Sequence, residues 1–334
     1  MLKMKRLACI ILVITILVCG ITFIGNVHAT TISGILTADT HWTLMDSPII
    51  FNGTVTVGNG VTLTIDPGVT VNLGIYSLQV GGTLIATGDV DNKILFTLRD
   101  NVSQFFSEPI FFTQNSTGWV DATNSGSIIQ NAILNKISIV ISNASPKIDA
   151  CFFNFSSYQS AISITGGSPI ISNNDVVYSG QDSSHNINAI NVYTGTPVIT
   201  NNEFDGNGYL TAIVASSTSS LTVSNNLFSN CWSGIKAQIG SVLAVEGNSF
   251  LKGNDGLDIA AGATLTLKNN LIDGNSRYGI NGGGVIDSNT ITNNQIGIHN
   301  PSTGSVITNN NIVGNTVNSI TASSASGSAV NNWW

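Results

Sequence analysis

One short phrase recurs at a nearly fixed interval between Pro197 and Gly314, and it constrains the fold more than any other feature of the chain. It reads Val-Ile-Thr-Asn-Asn-Glu-Phe from 198, Thr-Val-Ser-Asn-Asn-Leu-Phe from 222, Ala-Val-Glu-Gly-Asn-Ser-Phe from 244 and Thr-Leu-Lys-Asn-Asn-Leu-Ile from 266, with further copies from 285 and 306. Aligning the second Asn gives Asn174, Asn202, Asn226, Asn248, Asn270, Asn289, Asn310 and Asn332, at intervals of 28, 24, 22, 22, 19, 21 and 22 residues. A period in this range is the mark of a solenoid. Apolar and polar residues alternate over only three to five positions before a Gly or Asn interrupts them, which suits short strands and excludes helices.

Each period holds a second apolar phrase: Ser-Ala-Ile-Ser-Ile at 160, Asn-Ala-Ile-Asn-Val at 188, Ser-Gly-Ile-Lys at 233, Asp-Gly-Leu-Asp at 255, Tyr-Gly-Ile-Asn at 278 and Ile-Gly-Ile-His at 296. Two or three short strands per coil, joined by tight turns, make one rung of an all-β parallel β-helix with coils of about 20–28 residues. Rungs stacked at the ordinary strand spacing of roughly 4.8 Å bring equivalent side chains into ladders. Identical Asn residues one rung apart can then hydrogen-bond continuously, with their own backbone in the left-handed region that Asn tolerates. The column two residues later, Phe204, Phe228, Phe250, Ile272, Ile291 and Ile312, is expected to face the core.

These phrases resemble the parallel β-helix repeats of the pectate-lyase-like superfamily, of the secreted and cell-surface type, over about Ser127 to Trp334. The resemblance implies a right-handed coil. It says little about reaction type, because one fold hosts many functions.

The chain divides into residues 1–29, 30–126 and 127–334. The first has a basic start (Lys3, Lys5, Arg6), an apolar run from Leu7 to Ile24 and Val27-His28-Ala29 as a cleavage site, and reads as a secretory signal peptide. The alternative is an uncleaved membrane anchor, since the run is near the ~18 residues that spanning needs. Residues 30–126 read as an N-terminal cap and first rungs, followed by an irregular loop from Arg99 to Gly126 that holds Phe105, Phe106, Phe111, Phe112 and Trp119. Residues 127–334 are the regular repeats, and no cap is legible at Asn331-Asn332-Trp333-Trp334.

Only 9% of the residues are charged. The formal net charge is −7, and removing three basic residues with the leader leaves 8 basic against 18 acidic ones, or −10. An acidic surface without basic clusters excludes nucleic acid as the expected partner. The expected setting is secreted or cell-surface, and the expected partner a polysaccharide or a cell-envelope component. Contact with a membrane is expected only through the N-terminal anchor alternative. Five sequons, at Asn52, Asn101, Asn115, Asn143 and Asn154, lie beyond the leader.

Stacking also says which side chains share a face. Ser163, Asn191, Val214, Lys236, Asp258, Asn281, His299 and Thr321 form one outward row, beside a lane of small residues: Ala161, Ala189, Ala212, Gly234, Gly256, Gly279, Gly297 and Ser319. With Tyr209, Trp232 and Tyr278 nearby, such a lane and row could build a shallow sugar-binding groove, with Trp232, Lys236, Asp258, Tyr278, Asn281 and His299 as ligand-binding candidates. A solvated sheet face is the competing reading. A second row places Glu246 and Asp287 two rungs apart, about 9.6 Å, near the upper carboxylate separation of an inverting glycosidase. Lys268 lies between them, and an ion-pair ladder is the better reading, because the ammonium holds both carboxylates ionised.

The motifs that resembling enzymes carry are missing. There is no Asn-Thr-Asp, Asp-Asp or Gly-His-Gly phrase of the polygalacturonase type, and no compact acidic cluster for the calcium of a lyase. His41, His185 and His299 are scattered, so no metal site is expected, and no copper role despite the resemblance to copper-handling β-helix proteins. The outward Thr residues are too irregular for an ice-binding array. No cofactor is expected, except calcium if the chain is a lyase. The expected function is therefore a non-catalytic envelope or adhesion module contacting polysaccharide; the alternative is a polysaccharide lyase or glycoside hydrolase using Asp255, Asp258, Asp273 and Arg277.

Cys9 and Cys19 belong to the leader, which leaves Cys151 and Cys231. Cys151 falls in the Asn column three rungs before the coil of Cys231, about 14 Å away, whereas a disulfide needs Cα atoms within roughly 7 Å. Alkylation and intact-mass measurement should find both thiols free, and a bond between them would overturn the register.

Overall fold

The computed structural model describes residues 29–98, 110–156, 160–180, 187–322 and 327–334. Residues 1–28 of the segment read as a signal peptide therefore lie outside the described residues, as do Arg99, Phe105, Phe106 and His185. The remainder is one parallel β-solenoid with three strands per coil. In a representative coil, strand a is Ser233–Ala237, strand b Val242–Glu246 and strand c Ser249–Leu251. The chain then returns to the start of the next coil at Asp255–Ile259, Thr264–Lys268 and Leu271–Asp273. Each strand pairs in parallel with its equivalent in the adjacent coil, for example Ser233 with Asp255, Val242 with Thr264 and Ser249 with Leu271.

Period-two alternation decides which side chains enter the core. Along strand b, Leu243 and Val245 are buried while Val242, Ala244 and Glu246 are exposed. The column expected to face inward does so: Phe204, Phe228 and Phe250 stack at centroid distances of 5.1 and 4.7 Å with planes 5° apart, and Ile272, Ile291 and Ile312 continue it at 0% exposure. The same column runs back through Val176, Phe153, Leu134, Phe96 and Val71 to Ile49. One core therefore threads the whole solenoid.

The segment expected to be irregular is partly regular. Ile110–Phe112 is a strand a, pairing with Leu78–Val80 on one side and Ile139–Ile141 on the other. Its Phe112 is fully buried. The wide turn after it is held by a bridge between Val120 and Ser125, and by the Trp119 indole, which donates to Asp121 Oδ1 at 2.7 Å and lies beneath Lys147.

The corner between strands b and c carries the Asn ladder. Asn202 donates through Nδ2 to Asn226 Oδ1 (2.9 Å), to Thr200 O (3.0 Å) and to Ile171 O of the previous coil (2.9 Å). Its backbone N–H also donates to Asn226 Oδ1, at 2.8 Å. The same set repeats at Asn226, Asn248, Asn270 and Asn289, with Asn174 and Asn310 joining the chain of bonds on either side. Interior members are 1–2% exposed.

One expectation is corrected here. The ladder residue does not take the left-handed backbone; the residue before it does. Asn173, Asn201, Asn225, Asn269, Ser288 and Asn309 have φ between 55° and 58°. The division follows from the turn: a left-handed residue reverses the chain, and the next residue must aim its amide along the axis.

Both cysteines are free and buried, as the register requires. Cys151 occupies the first ladder position as an amide surrogate: its N–H donates to Asn174 Oδ1 at 3.0 Å, and its Sγ to Asp149 O and Ile129 O. Burial pushes this thiol up to about 12 and raises Cys231 as well, which keeps both protonated and unreactive at neutral pH.

Asn248→Ala removes the partner of the Asn226 N–H and of two carbonyls, Val223 O and Glu246 O. Each buried group left unmade costs about 1–3 kcal/mol, so urea denaturation should show a loss of about 3 kcal/mol or more. The outward Thr266→Ala should stay within about 0.5 kcal/mol. Truncating the core at Phe228→Ala should cost about 3–5 kcal/mol.

Candidate functional site

Strand a builds the row in the expected register, although its member Val214 is buried, at 6% exposure. Pairings run Ser163–Asn191, Asn191–Val214, Val214–Lys236, Lys236–Asp258, Asp258–Asn281, Asn281–His299 and His299–Thr321. In its second half the polar side chains hold one another: Asn281 Nδ2 donates to Asp258 Oδ1 at 2.8 Å, and His299 Nδ1 bonds Thr321 Oγ1 at 2.7 Å. The Tyr278 ring stacks on His299 at 4.2 Å with planes 5° apart, and the Arg277 guanidinium lies 4.7 Å from the Tyr278 centroid. Lys236, Asp258, Tyr278, Asn281 and His299 therefore share one face. Trp232 does not. It sits on the corner before strand a, one residue ahead of Ser233, level with Asn254 and Arg277.

The lane of small residues lies inside rather than beside this row. Ala161, Ala189 and Ala212 are 0–2% exposed. A Cβ on Gly256 would lie 2.5 Å from Gly279 O, and one on Gly279 2.6 Å from Gly297 O. These residues are small because the backbones of adjacent coils and the Phe–Ile column crowd them from within; they line no groove.

The carboxylates of the enzyme alternative are each held by hydrogen-bond partners, and the Asp258 charge also acts on Asp255. Asp255, 2% exposed, accepts two bonds from Arg277: Nε to Oδ1 at 2.9 Å and Nη2 to Oδ2. It also receives the Tyr278 N–H at 3.3 Å. Burial pushes the Asp255 carboxyl up, and the guanidinium only partly offsets this. Asp273 ends a strand c and takes Thr292 Oγ1 (3.0 Å) and Asn293 Nδ2 (2.7 Å) of the next coil.

The same clamp recurs in the second outward row. Asp287 takes Thr308 Oγ1 and Asn309 Nδ2, and Asp149 takes Ser172 Oγ and Asn173 Nδ2. In each, a carboxylate grips the left-handed Asn one coil on. The expected Glu246–Lys268–Asp287 ladder is half formed: Lys268 reaches Asp287 at 3.9 Å, while Glu246 takes the amide of Asn269 at 3.0 Å. Hydrogen bonds from Asn309 and Thr308 hold Asp287 below the usual carboxylate range. Such a group contributes stability above its unfolded pKa near 3.9 that is lost as pH falls.

Sequence reading missed a second ladder, at the corner between strands c and a. Asn275 donates to Asn294 Oδ1 (2.8 Å from Nδ2), and Asn294 to Asn315 Oδ1 (3.0 Å). Gly253 and Cys231 hold the same column in the preceding coils, Gly253 donating its N–H to Asn275 Oδ1. The pairs Gly274-Asn275, Asn293-Asn294 and Gly314-Asn315 signal it in the sequence. Among the described residues, no three His, Cys, Asp or Glu side chains are placed to hold a metal ion, and no helix is long and apolar enough to cross a membrane.

Removing Arg277 would leave Asp255 buried and unpaired. Because the guanidinium is 42% exposed, Arg277→Ala should cost about 2–3 kcal/mol at pH 7, less than the 3–5 of a fully buried pair. In that variant Asp255 rises further, so the folded state binds its proton more readily than the unfolded one. The deficit should then shrink as pH is lowered toward the carboxylate range. Adding Asp255→Asn should recover part of the loss, read by urea denaturation.

The sequence profile described as the right-handed β-helix region matches residues 160–333. No curated protein matches the chain. The matched stretch covers 174 of 334 residues, just over half, and agrees with the pectate-lyase-like character of the repeats. The coils wind to the right, and the chain belongs to the right-handed β-helix family.

Proposed function

We propose that this is a secreted or surface-held, non-catalytic β-helix module whose strand-a face contacts polysaccharide. The observation that carries the reading is the state of the polar groups on that face. Asp258 with Asn281, His299 with Thr321 and Tyr278 stacked on His299 form a preordered array of hydroxyl, amide, carboxylate and aromatic groups along one line. Amides and carboxylates take sugar hydroxyls, and the Tyr278 edge offers apolar surface to a pyranose ring.

A hydrolase needs an acid and a second carboxylate facing each other across the scissile bond, about 5–9.5 Å apart. Here Asp255 is buried against Arg277, while Asp273, Asp287 and Glu246 each clamp a neighbouring coil. Those bonds spend the carboxylates on holding rungs together, which favours binding over turnover. An acidic surface steers the choice of polymer toward neutral chains.

The test is retention on a panel of insoluble polysaccharides, run beside reducing-end and unsaturated-product assays with and without calcium. Binding without product is expected. Tyr278→Ala should weaken retention about 2- to 12-fold, from the roughly 0.5–1.5 kcal/mol of one aromatic contact. Product that disappears in Asp258→Ala or Arg277→Ala would overturn the proposal and establish an enzyme.

A further inference from the structure

The sequence holds four Asn-Gly steps, at 52–53, 59–60, 207–208 and 281–282. Each carries its own chemistry, because the backbone nitrogen after an Asn can attack the side-chain amide, and Gly has no Cβ to obstruct the approach. Attack needs a backbone nitrogen free to turn toward Cγ. The fold withholds that freedom from three of the four.

Gly208 donates its N–H to Asn230 O at 2.6 Å, and Asn207 Nδ2 donates to Gly180 O at 3.3 Å. The Gly282 N–H donates to His299 O at 2.8 Å, and Asn281 Nδ2 is held by Asp258. Asn52-Gly53 lies inside the strand Ile49–Val57, where a Cβ on Gly53 would lie 2.8 Å from Ser33 Cβ. These three steps are fastened to neighbouring coils.

Asn59-Gly60 is different. It forms the tip of the turn from Ile49–Val57 to Thr62–Ile65, closed by the Val61 N–H donating to Gly58 O at 3.0 Å. Gly60 has φ 75°, as the third position of a type II turn requires. Both tip residues are exposed, and no atom lies within 4 Å of a Cβ built on Gly60. Among the described residues, neither the Asn59 amide nor the Gly60 N–H has a hydrogen-bond partner. The reason is a difference in turn length: the same corner of the next coil is only Gly81-Gly82, between Val80 and Thr83. That short turn backs the base of the longer one, where a Cβ on Gly82 would meet the carbonyls of Gly58 and Val61. The tip is left standing clear.

We infer that Asn59-Gly60 is a site of spontaneous covalent modification, an inference independent of the polysaccharide reading. The Gly60 nitrogen gives its proton to solvent and forms a bond to Asn59 Cγ; the Cγ–Nδ2 bond breaks, and ammonia leaves with a proton taken from solvent. Water then opens the resulting succinimide. Opening at Cγ gives aspartate, and opening at the main-chain carbonyl gives isoaspartate. Either product replaces a neutral amide with a carboxylate. The base of the turn stays bonded through Gly58 N–H to Leu36 O and Thr83 N–H to Val61 O, so the conversion leaves the coil intact.

The experiment incubates the full mature protein at mildly alkaline pH, folded and in parallel unfolded in guanidinium chloride. Peptide mapping by mass spectrometry follows each Asn-Gly step, and enzymatic carboxyl methylation reads isoaspartate. In the folded protein Asn59 should convert first, about ten-fold faster than Asn207 or Asn281, whose glycine hydrogen bonds must open before attack. Unfolding should bring the four rates together. Asn59→Gln, which would have to close a larger and slower ring, should lose the early change in charge while keeping the parent's thermal unfolding. Conversion led by Asn52, Asn207 or Asn281 in the folded protein, a ranking that persists after unfolding, or an early charge change that survives Asn59→Gln would each sink the assignment.

Discussion

From Cys151 to Asn332 the solenoid depends on the Asn ladder at the corner between strands b and c. Each ladder amide closes the hydrogen-bonding needs of three coils at once: its Nδ2 reaches the coil before, its own turn and the next Asn, whose Oδ1 also takes its backbone N–H. In a tight buried corner no water can serve those groups, so leaving one unmade is costly. The ladder therefore fixes the register of stacking. Once it is fixed, the Phe–Ile column, the inward small lane and both outward rows follow, because all are set by their offset from the same Asn.

The clamps between carboxylates and left-handed Asn residues extend this logic to the surface. Asp149, Asp273 and Asp287 each grip a Ser or Thr and an Asn one coil on. This accounts for Asn rather than Gly at those turns: Gly would adopt the backbone more freely, but only Asn supplies the amide. It also accounts for an acidic protein with so little free carboxylate on its strand faces. The Arg277–Asp255 pair differs, since the carboxylate is buried, the guanidinium lies over the Tyr278 ring, and together they tie the start of strand a to the next turn.

Function on such a scaffold is confined to places where the repeat is broken or decorated. A regular rung repeats one side-chain pattern and leaves no concavity. The strand-a face gains character only from what is placed in the row, and a corner only from unequal turn lengths.

The sequence by itself determined the coil, the two outward rows, the inward Phe–Ile column and the separation of the two cysteines. Period and alternation are local properties, and stacking in register copies them along the axis, so an alignment of Asn174 to Asn332 already contains them. It did not determine which Asn of each pair turns the backbone, that Gly256 and Gly279 face inward, or that Ile110–Phe112 continues the rungs. Nor could it separate Trp232 from Tyr278, or pair Glu246 with Asn269 in place of Lys268. Those depend on the path of the backbone through each corner and on contacts between coils about twenty residues apart, which only the tertiary structure decided.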